Sequence, residues 1–191
     1  MSASVDLSGH FLMAMPGMVE GDLADTVIYV CEHSDRGALG LVINRPIELS
    51  LAGLLEKADL DIEAGHDGDN APDVPVYFGG PVQTDRGFVL HKPAGEYSSS
   101  ISLGQTLALT TSRDVLQAVA SGQGPEKIFI TLGYAGWGAG QLEQELAQNA
   151  WLSVPADESI IFEMPAKARY PAAMGLLGID PARLAGSAGH A

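Results

Sequence analysis

The stretch Gly133–Leu152, GYAGWGAGQLEQELAQNAWL, runs a strand end, a glycine-rich turn, an amphipathic helix and a tryptophan-led strand together. Leu142, Leu146 and Ala150 recur at i, i+4 spacing and predict one apolar face on a helix over residues 140–150. Gln141, Glu143, Gln144, Gln148 and Asn149 then face outward. The glycines ahead of that helix admit two readings. A strand passing through glycine into a helix start can cradle a phosphate, since the first helical amides lack partners. Alternatively, the glycines let Trp137 and the helix close on the sheet. The run matches neither G-x-G-x-x-G nor the P-loop pattern, and Glu143 near the helix start would compete with an anion, so packing is the favoured reading.

Working outward, β-branched and aromatic runs bounded by Gly or Pro predict strands at residues 11–14, 27–33, 38–43, 76–78, 88–91, 101–103, 107–110, 127–132, 151–154 and 160–163. Several are apolar on both faces, as in a sheet covered on both sides. Ser50 is placed to cap a helix carrying Leu51, Leu54, Leu55 and Ala58, and Thr111 or Ser112 one over residues 113–120. Pro171 is expected to open a helix over residues 172–177, because a proline inside a helix loses a hydrogen bond. The acidic stretch at about residues 59–75 reads as a mobile loop. Asp67, Asp69 and Asn70 fail as an EF-hand, with Pro72 at the glycine position and Phe78 at the closing Glu.

With 191 residues and 46% hydrophobic content, the chain is sized for a single domain spanning residues 1–191. Its formal charge is −14, from 24 acidic against 10 basic residues, and that field argues against direct nucleic-acid binding. No Lys or Arg precedes Arg36, so no secretory n-region is visible, and Pro16 and Gly17 interrupt the first apolar run well short of a membrane span. The single cysteine, Cys31, lies in an apolar strand and fits a reducing cytoplasm. No cofactor motif is present and none is expected. Cys31, His33 and His91 lack the paired spacings of a zinc site, so no metal is expected either.

Ser34-Asp35-Arg36-Gly37 and Thr84-Asp85-Arg86-Gly87 each precede an apolar strand, and both read as tight hairpin turns. Convergent turn chemistry and a duplicated hairpin both explain the match. Beyond them, Asn44, Arg45, Arg86, His91, Trp137, Gln141 and Glu145 are the candidates for one polar cleft at strand ends that binds a ligand or partner. His91 is its acid–base candidate, since an imidazole titrates near neutrality. A hydrogen-bonded structural histidine is the competing reading. No Gly-x-Ser-x-Gly elbow supports nucleophilic catalysis.

GHFLMAMPGM (9–18), VINRP (42–46), GGPV (79–82), DRGFVLH (85–91) and TTSRD (110–114), with the opening stretch, closely resemble the bacterial YqgE/AlgH family over nearly the whole chain. The resemblance implies an α/β fold, a mixed and bifurcated β-sheet curled into a pseudo-barrel with flanking helices. It brings no catalytic residues. Some members carry the label of transcriptional regulator, and members are often encoded beside a Holliday-junction-resolvase-like protein, which makes that protein a partner by association. Asp22 and Asp25 stand where members often have basic or neutral residues, and Tyr170 where Trp is frequent; a basic partner surface or a different local packing follows. The expectation is a cytoplasmic regulatory or adaptor protein acting through a protein partner or small ligand. The alternatives are an enzyme using His91 and Glu145, and a DNA-binding regulator.

Overall fold

A computed structural model describes residues 6–19, 21–51, 53–54, 74–104 and 106–178. Among the described residues ten strands form the sheet: β1 (His10–Ala14), β2 (Val27–Ser34), β3 (Gly37–Val42), β4 (Pro46–Ser50), β5 (Pro75–Phe78), β6 (Val82–Lys92), β7 (Ser100–Leu103), β8 (Leu107–Thr110), β9 (Lys127–Gly138) and β10 (Trp151–Pro155). Four α-helices accompany them in the described residues: α1 (Arg113–Ala120), α2 (Gln141–Ala147), α3 (Glu158–Phe162) and α4 (Ala166–Leu176). The main order is β10-β1-β2-β3-β9-β6-β8-β7.

The long strand β9 is where the sheet divides. One of its edges is shared end to end, by β5 against Ile130–Leu132 and by β3 against Ala135–Gly138, while β6 occupies the other. The β5–β9 ladder is parallel and every other ladder antiparallel, so the sheet is mixed as well as bifurcated.

Alternation along the strands sends side chains to both faces, which explains their continuous apolar runs. Phe11, Met13, Tyr29, Leu41, Tyr77, Phe88, Leu90 and Phe129 meet in one inner cluster with Ile160, Ile161, Ala173 and Met174 of α3 and α4. That cluster draws on strands from both halves of the sheet, and a flat sheet could not bring them together. The sheet is therefore curled, with α3 and α4 filling its concave side. On the outer face Leu12, Ile28, Val30, Val42, Trp137 and Trp151 pack under Leu142 of α2, and Val76, Val89 and Ile130 pack with Leu51 and Leu54 under Val115, Leu116 and Val119 of α1.

The structure departs from four sequence expectations and adds one strand. Residues 133–138 continue β9, with Ala135–Gly138 paired to β3, so the turn shrinks to Ala139 and Gly140 and α2, only seven residues long, begins at Gln141. Residues 160–162 are helical rather than extended, with Glu163 as the C-cap, because the Asp157 carboxylate accepts from the Ser159 amide (3.0 Å) and hydroxyl (2.7 Å) and starts α3. Pro171 sits inside α4 rather than opening a helix. Tertiary anchoring outweighs its cost of about 3 kcal/mol: the buried Arg169 donates to the carbonyls of Met164 and Ile43 and lies 4.9 Å over the Tyr77 ring. Next to it, Tyr170 donates to the Ala14 carbonyl at 2.6 Å, so this departure from the family pattern is accommodated in local packing. The strand Pro46–Ser50 was not anticipated; exposed along most of its length, it lacks the apolar alternation that marks a strand.

The paired tetrapeptides differ from one another. Ser34 pairs with Gly37 and closes the tight β2–β3 hairpin as expected. Thr84–Gly87 instead lies within β6, where residues 83–86 stand opposite Gly133 alone. Gly133 has φ +79°, the backbone state that lets β9 turn past the bulge. Leu55, Ala58 and the acidic stretch up to Asp73 lie outside the described residues, and Pro75 already belongs to β5.

Candidate functional site

The bulge in β6 pushes Thr84, Asp85 and Arg86 out of the ladder and into the open. Facing them is the end of β8, where Thr110–Asp114 turns from strand into α1. Asp114 explains why that turn holds its shape. Its carboxylate accepts from the Ser98 amide (2.8 Å), from the Val115 amide (2.9 Å) and from the Ser112 hydroxyl. Partial burial pushes its pKa up, but these hydrogen bonds outweigh it and hold the carboxyl below its ordinary value. Asp114 is thus committed to the turn, and its neighbour Arg113 projects free of it.

Between the two segments lies a pocket of about 810 Å³. Leu54, Leu116 and Leu132 supply its apolar wall; Arg86, Arg113, Thr84, Thr111 and Asp85 supply its polar one. Arg86 donates to the Thr111 hydroxyl at 3.3 Å and lies 6.0 Å over the Phe88 ring. Among the described residues the ion pairs are His33–Glu143, Lys92–Glu158 (2.9 Å) and Lys127–Glu163 (3.3 Å), and neither pocket arginine takes part. Two exposed guanidinium groups beside two hydroxyls suit a carboxylate or phosphate, which they can grip through charge-assisted bonds.

The seven residues predicted to share one cleft fall into four places. Asn44 is a local tie, accepting from the Val27 amide and donating to the Asp25 carbonyl, both at 3.0 Å. Arg45 donates to the Ala24 carbonyl and so secures the same loop. Arg86 lines the pocket just described. His91 is sealed, fully buried, with Nδ1 3.0 Å from the Pro93 carbonyl and Nε2 2.6 Å from the Thr110 hydroxyl. Burial lowers its pKa, partly offset by the Pro93 contact.

Trp137, Gln141 and Glu145 do come together. Both indole N–H groups, of Trp137 (3.1 Å) and Trp151 (2.9 Å), donate to Glu145 Oε1, while the Gln141 amide donates to Oε2 at 3.0 Å. Gln141 also accepts from the Gly138 amide at 2.9 Å. These bonds fasten α2 onto β9 and β10, with the two indoles edge-to-face at 6.0 Å. Glu145 and His91 cannot act on one substrate: His91 pairs with Ile128 and Trp137 with Ala38, at opposite ends of β9. Glu143, expected to face solvent, instead accepts from Nε2 of the buried His33, whose Nδ1 accepts from the Leu7 amide at 3.0 Å.

Cys31 is buried and its thiol is pushed up by desolvation, which removes it as a nucleophile. Among the described residues no three His, Cys, Asp or Glu side chains gather into a metal-binding group. Arg113, Thr84 and Thr111 complete the pocket. Their only sequence signal was their place in the TTSRD run and in the repeat, since nothing in either run shows that the two segments meet.

Comparison with known proteins agrees with this architecture. The AlgH-like family profile matches residues 11–182. A UPF0301 protein of Bordetella avium is 70% identical over 186 residues, covering 97% of this chain and 92% of its own length. One from Ralstonia nicotianae is 56% identical over 189 residues, covering 99% and 97% respectively. The solution structure of the AlgH protein from Pseudomonas aeruginosa superposes with a TM-score of 0.81 at 50% identity, over 97% of this chain and 96% of that one. A Corynebacterium diphtheriae crystal structure shares the fold at a TM-score of 0.67 and 21% identity, over 91% and 88%. Sequence match, sheet topology and helix placement agree, and the chain belongs to the AlgH-like family.

Proposed function

We propose that this is a cytoplasmic regulatory or adaptor protein that works by recognition, taking an anionic group of a small ligand or protein partner between Arg86 and Arg113. One observation carries the reading. In a chain of net charge −14, two arginines line one pocket with no ion-pair partner among the described residues. Long-range repulsion of anions by the whole molecule then makes the pocket selective for ligands that bring the right local fit. The cytoplasmic assignment rests on the lone, buried, unpaired Cys31, and among the described residues no helix is long and apolar enough to cross a membrane.

The enzyme reading built on His91 with Glu145 loses its geometric basis, as one is sealed and the other holds two indoles. Duplex DNA is disfavoured because phosphate-backbone affinity grows with the number of phosphates neutralised, and the pocket offers two cations. The test is retention. Native mass spectrometry and affinity capture are run on the full chain and on the Arg86→Ala/Arg113→Ala variant, with the Holliday-junction-resolvase-like protein and labelled promoter DNA as defined probes. The wild type is expected to retain an anionic species or partner that the variant loses at unchanged melting temperature. Equal retention by both proteins, or saturable sequence-dependent DNA binding at physiological salt, overturns the proposal.

A further inference from the structure

Three adjacent strands place a second kind of chemistry on residues that do not line the arginine pocket. His91 on β6, Thr110 on β8 and Ser100 on β7 form one hydrogen-bonded line, with Nε2 of His91 2.6 Å from the Thr110 hydroxyl and that hydroxyl 2.6 Å from the Ser100 hydroxyl. The direction of every bond in the line is fixed from its far end. Pro93 offers a carbonyl, which can only accept, so Nδ1 of His91 carries the hydrogen across that 3.0 Å contact. Burial keeps the ring neutral at pH 7 by depressing its pKa, so Nε2 presents a lone pair. Thr110 has one hydroxyl hydrogen and gives it to Nε2. The Ser100 hydroxyl must then donate to Thr110.

The proton of Ser100 is therefore aimed inward while its oxygen lone pairs are left to other partners. His91 and Thr110 are fully buried and Ser100 is exposed, so the base is shielded and the hydroxyl it serves is at the surface. Tyr97 covers the imidazole edge-to-face at 5.3 Å. The arrangement has the parts of an activated nucleophile, namely a hydroxyl, a base and a group that fixes the base's tautomer, with one hydroxyl inserted between the first two.

The geometry points to Ser100 as a nucleophilic serine, deprotonated through Thr110 by His91, that accepts an acyl group from small activated carboxylic esters. In the step, Ser100 Oγ forms a bond to the ester carbonyl carbon. The Ser100 proton passes to Thr110 Oγ1 as the Thr110 proton passes to His91 Nε2. The carbon–oxygen bond to the leaving alcohol then breaks, and that alkoxide or phenolate recovers the proton from His91 by the same path or leaves as the anion. The products are acyl-Ser100 and the alcohol, or its anion with the proton passed from His91 through Thr110 to water; water then regenerates the serine and releases the carboxylic acid. A Pro93 carbonyl orients the imidazole but supplies less countercharge than a carboxylate would, so the gain is expected at the lower end of general-base catalysis, about 10²-fold.

The test uses p-nitrophenyl acetate on the full chain, with tandem mass spectrometry to locate acetyl groups and p-nitrophenolate release to give the rate. Acetylation is expected at Ser100 and absent there in Ser100→Ala. Thr110→Val keeps the side-chain shape and removes the relay, and is expected to slow Ser100 acetylation about 10²-fold. Thr110→Ser restores a hydroxyl and is expected to recover most of the rate, which a purely structural Thr110 would not produce. Ser98 and Ser99 are exposed neighbours outside the line and serve as internal controls in the unmodified chain, independent of how any variant folds. Equal acetylation of Ser98, Ser99 and Ser100, no acetylation of Ser100, or a Thr110→Val protein that melts normally and reacts at the wild-type rate overturns the assignment.

Discussion

Ser34–Gly37 and Thr84–Gly87 share Asp-Arg-Gly, yet the first closes a hairpin and the second is thrown out of a strand as a bulge. Local turn chemistry is the same in both. What differs is the neighbour: β2 and β3 are consecutive and pair with each other, so Ser34 and Gly37 can meet, whereas β6 is held on both sides of its tetrapeptide by β9. With Val82 fixed to Tyr134 and Gly87 to Leu132, the intervening residues have nowhere to go but outward. A surplus of residues between fixed ladder points thus makes a loop in the middle of a strand, and that loop forms one wall of the arginine pocket.

The sharpest way to break this comparison is at its two glycines. Gly37 has φ +136°, and an added Cβ would lie 2.3 Å from the Trp137 carbonyl oxygen, a backbone atom that cannot step aside. Gly87 has no such constraint, its nearest neighbour being the Leu116 Cδ1 at 3.8 Å. Gly37→Ala is expected to cost about 3 kcal/mol or more, and Gly87→Ala about 0.5 kcal/mol or less. Urea denaturation midpoints decide it. Equal losses would mean the two tetrapeptides share a backbone after all.

The next effect follows from the histidine beside the first tetrapeptide. Glu143→Ala leaves Nε2 of the buried His33 without its acceptor, at an expected cost of about 1–3 kcal/mol. Gln141→Ala, on the exposed side of the same helix, removes one bond to the Gly138 amide and one to Glu145, and is expected to cost about 1 kcal/mol. Should Glu143→Ala prove the milder of the two in thermal melts, His33 does not anchor α2 to the hairpin strand.

These assignments also mark how far the sequence carries. The strand set is legible because both-face burial writes long apolar runs into β1, β2, β3 and β9, and because the α1 and α2 patterns have a single apolar side. Ile160-Ile161-Phe162 misleads, since three apolar residues in a row fit either a buried strand or a helix, and only the Asp157 cap ahead of them distinguishes the two. Pro171 misleads because its penalty is local and the anchoring by Arg169 and Tyr170 is tertiary. The cleft fails for a similar reason. Arg86 and Arg113 meet through strand pairing that no spacing announces, and His91 looks titratable in sequence but is enclosed by a hydroxyl, a carbonyl and a tyrosine.

A smaller effect belongs to the strand that follows the second tetrapeptide. The His91 pKa is depressed on folding, so between that value and the unfolded imidazole value of about 6.5 the unfolded chain holds the extra proton. His91 therefore leaves stability unaffected above about pH 6.5 and lowers it as pH falls through the window beneath. Denaturation midpoints from about pH 7.5 down to about pH 5, where carboxylates stay ionised, should fall for the wild type and fall less for His91→Gln. Parallel profiles would show that the imidazole is not held neutral, and would remove the lone pair on which the Ser100 relay depends.

The smallest stability effect is expected at the two arginines themselves, and it is there that the comparison bears on function. Arg36 of the hairpin and Arg86 of the bulge are both exposed, and among the described residues neither forms an ion pair. Replacing either with alanine should change stability by about 0.5 kcal/mol or less, because the turn and the bulge are set by the ladder. Their surroundings nonetheless differ. Arg36 is the single cation of a shallower hollow of about 540 Å³ and is matched there by the Glu32 carboxylate, whereas Arg86 shares its pocket with Arg113 and two threonine hydroxyls, so that two cations there face the one carboxylate of Asp85. Titration with inorganic phosphate and with a dicarboxylate, followed by nuclear magnetic resonance, should therefore shift the amides of residues 84–87 and 111–113 in the wild type and in Arg36→Ala, but not in Arg86→Ala. If Arg36→Ala removes those shifts and Arg86→Ala spares them, the hairpin rather than the bulge carries recognition.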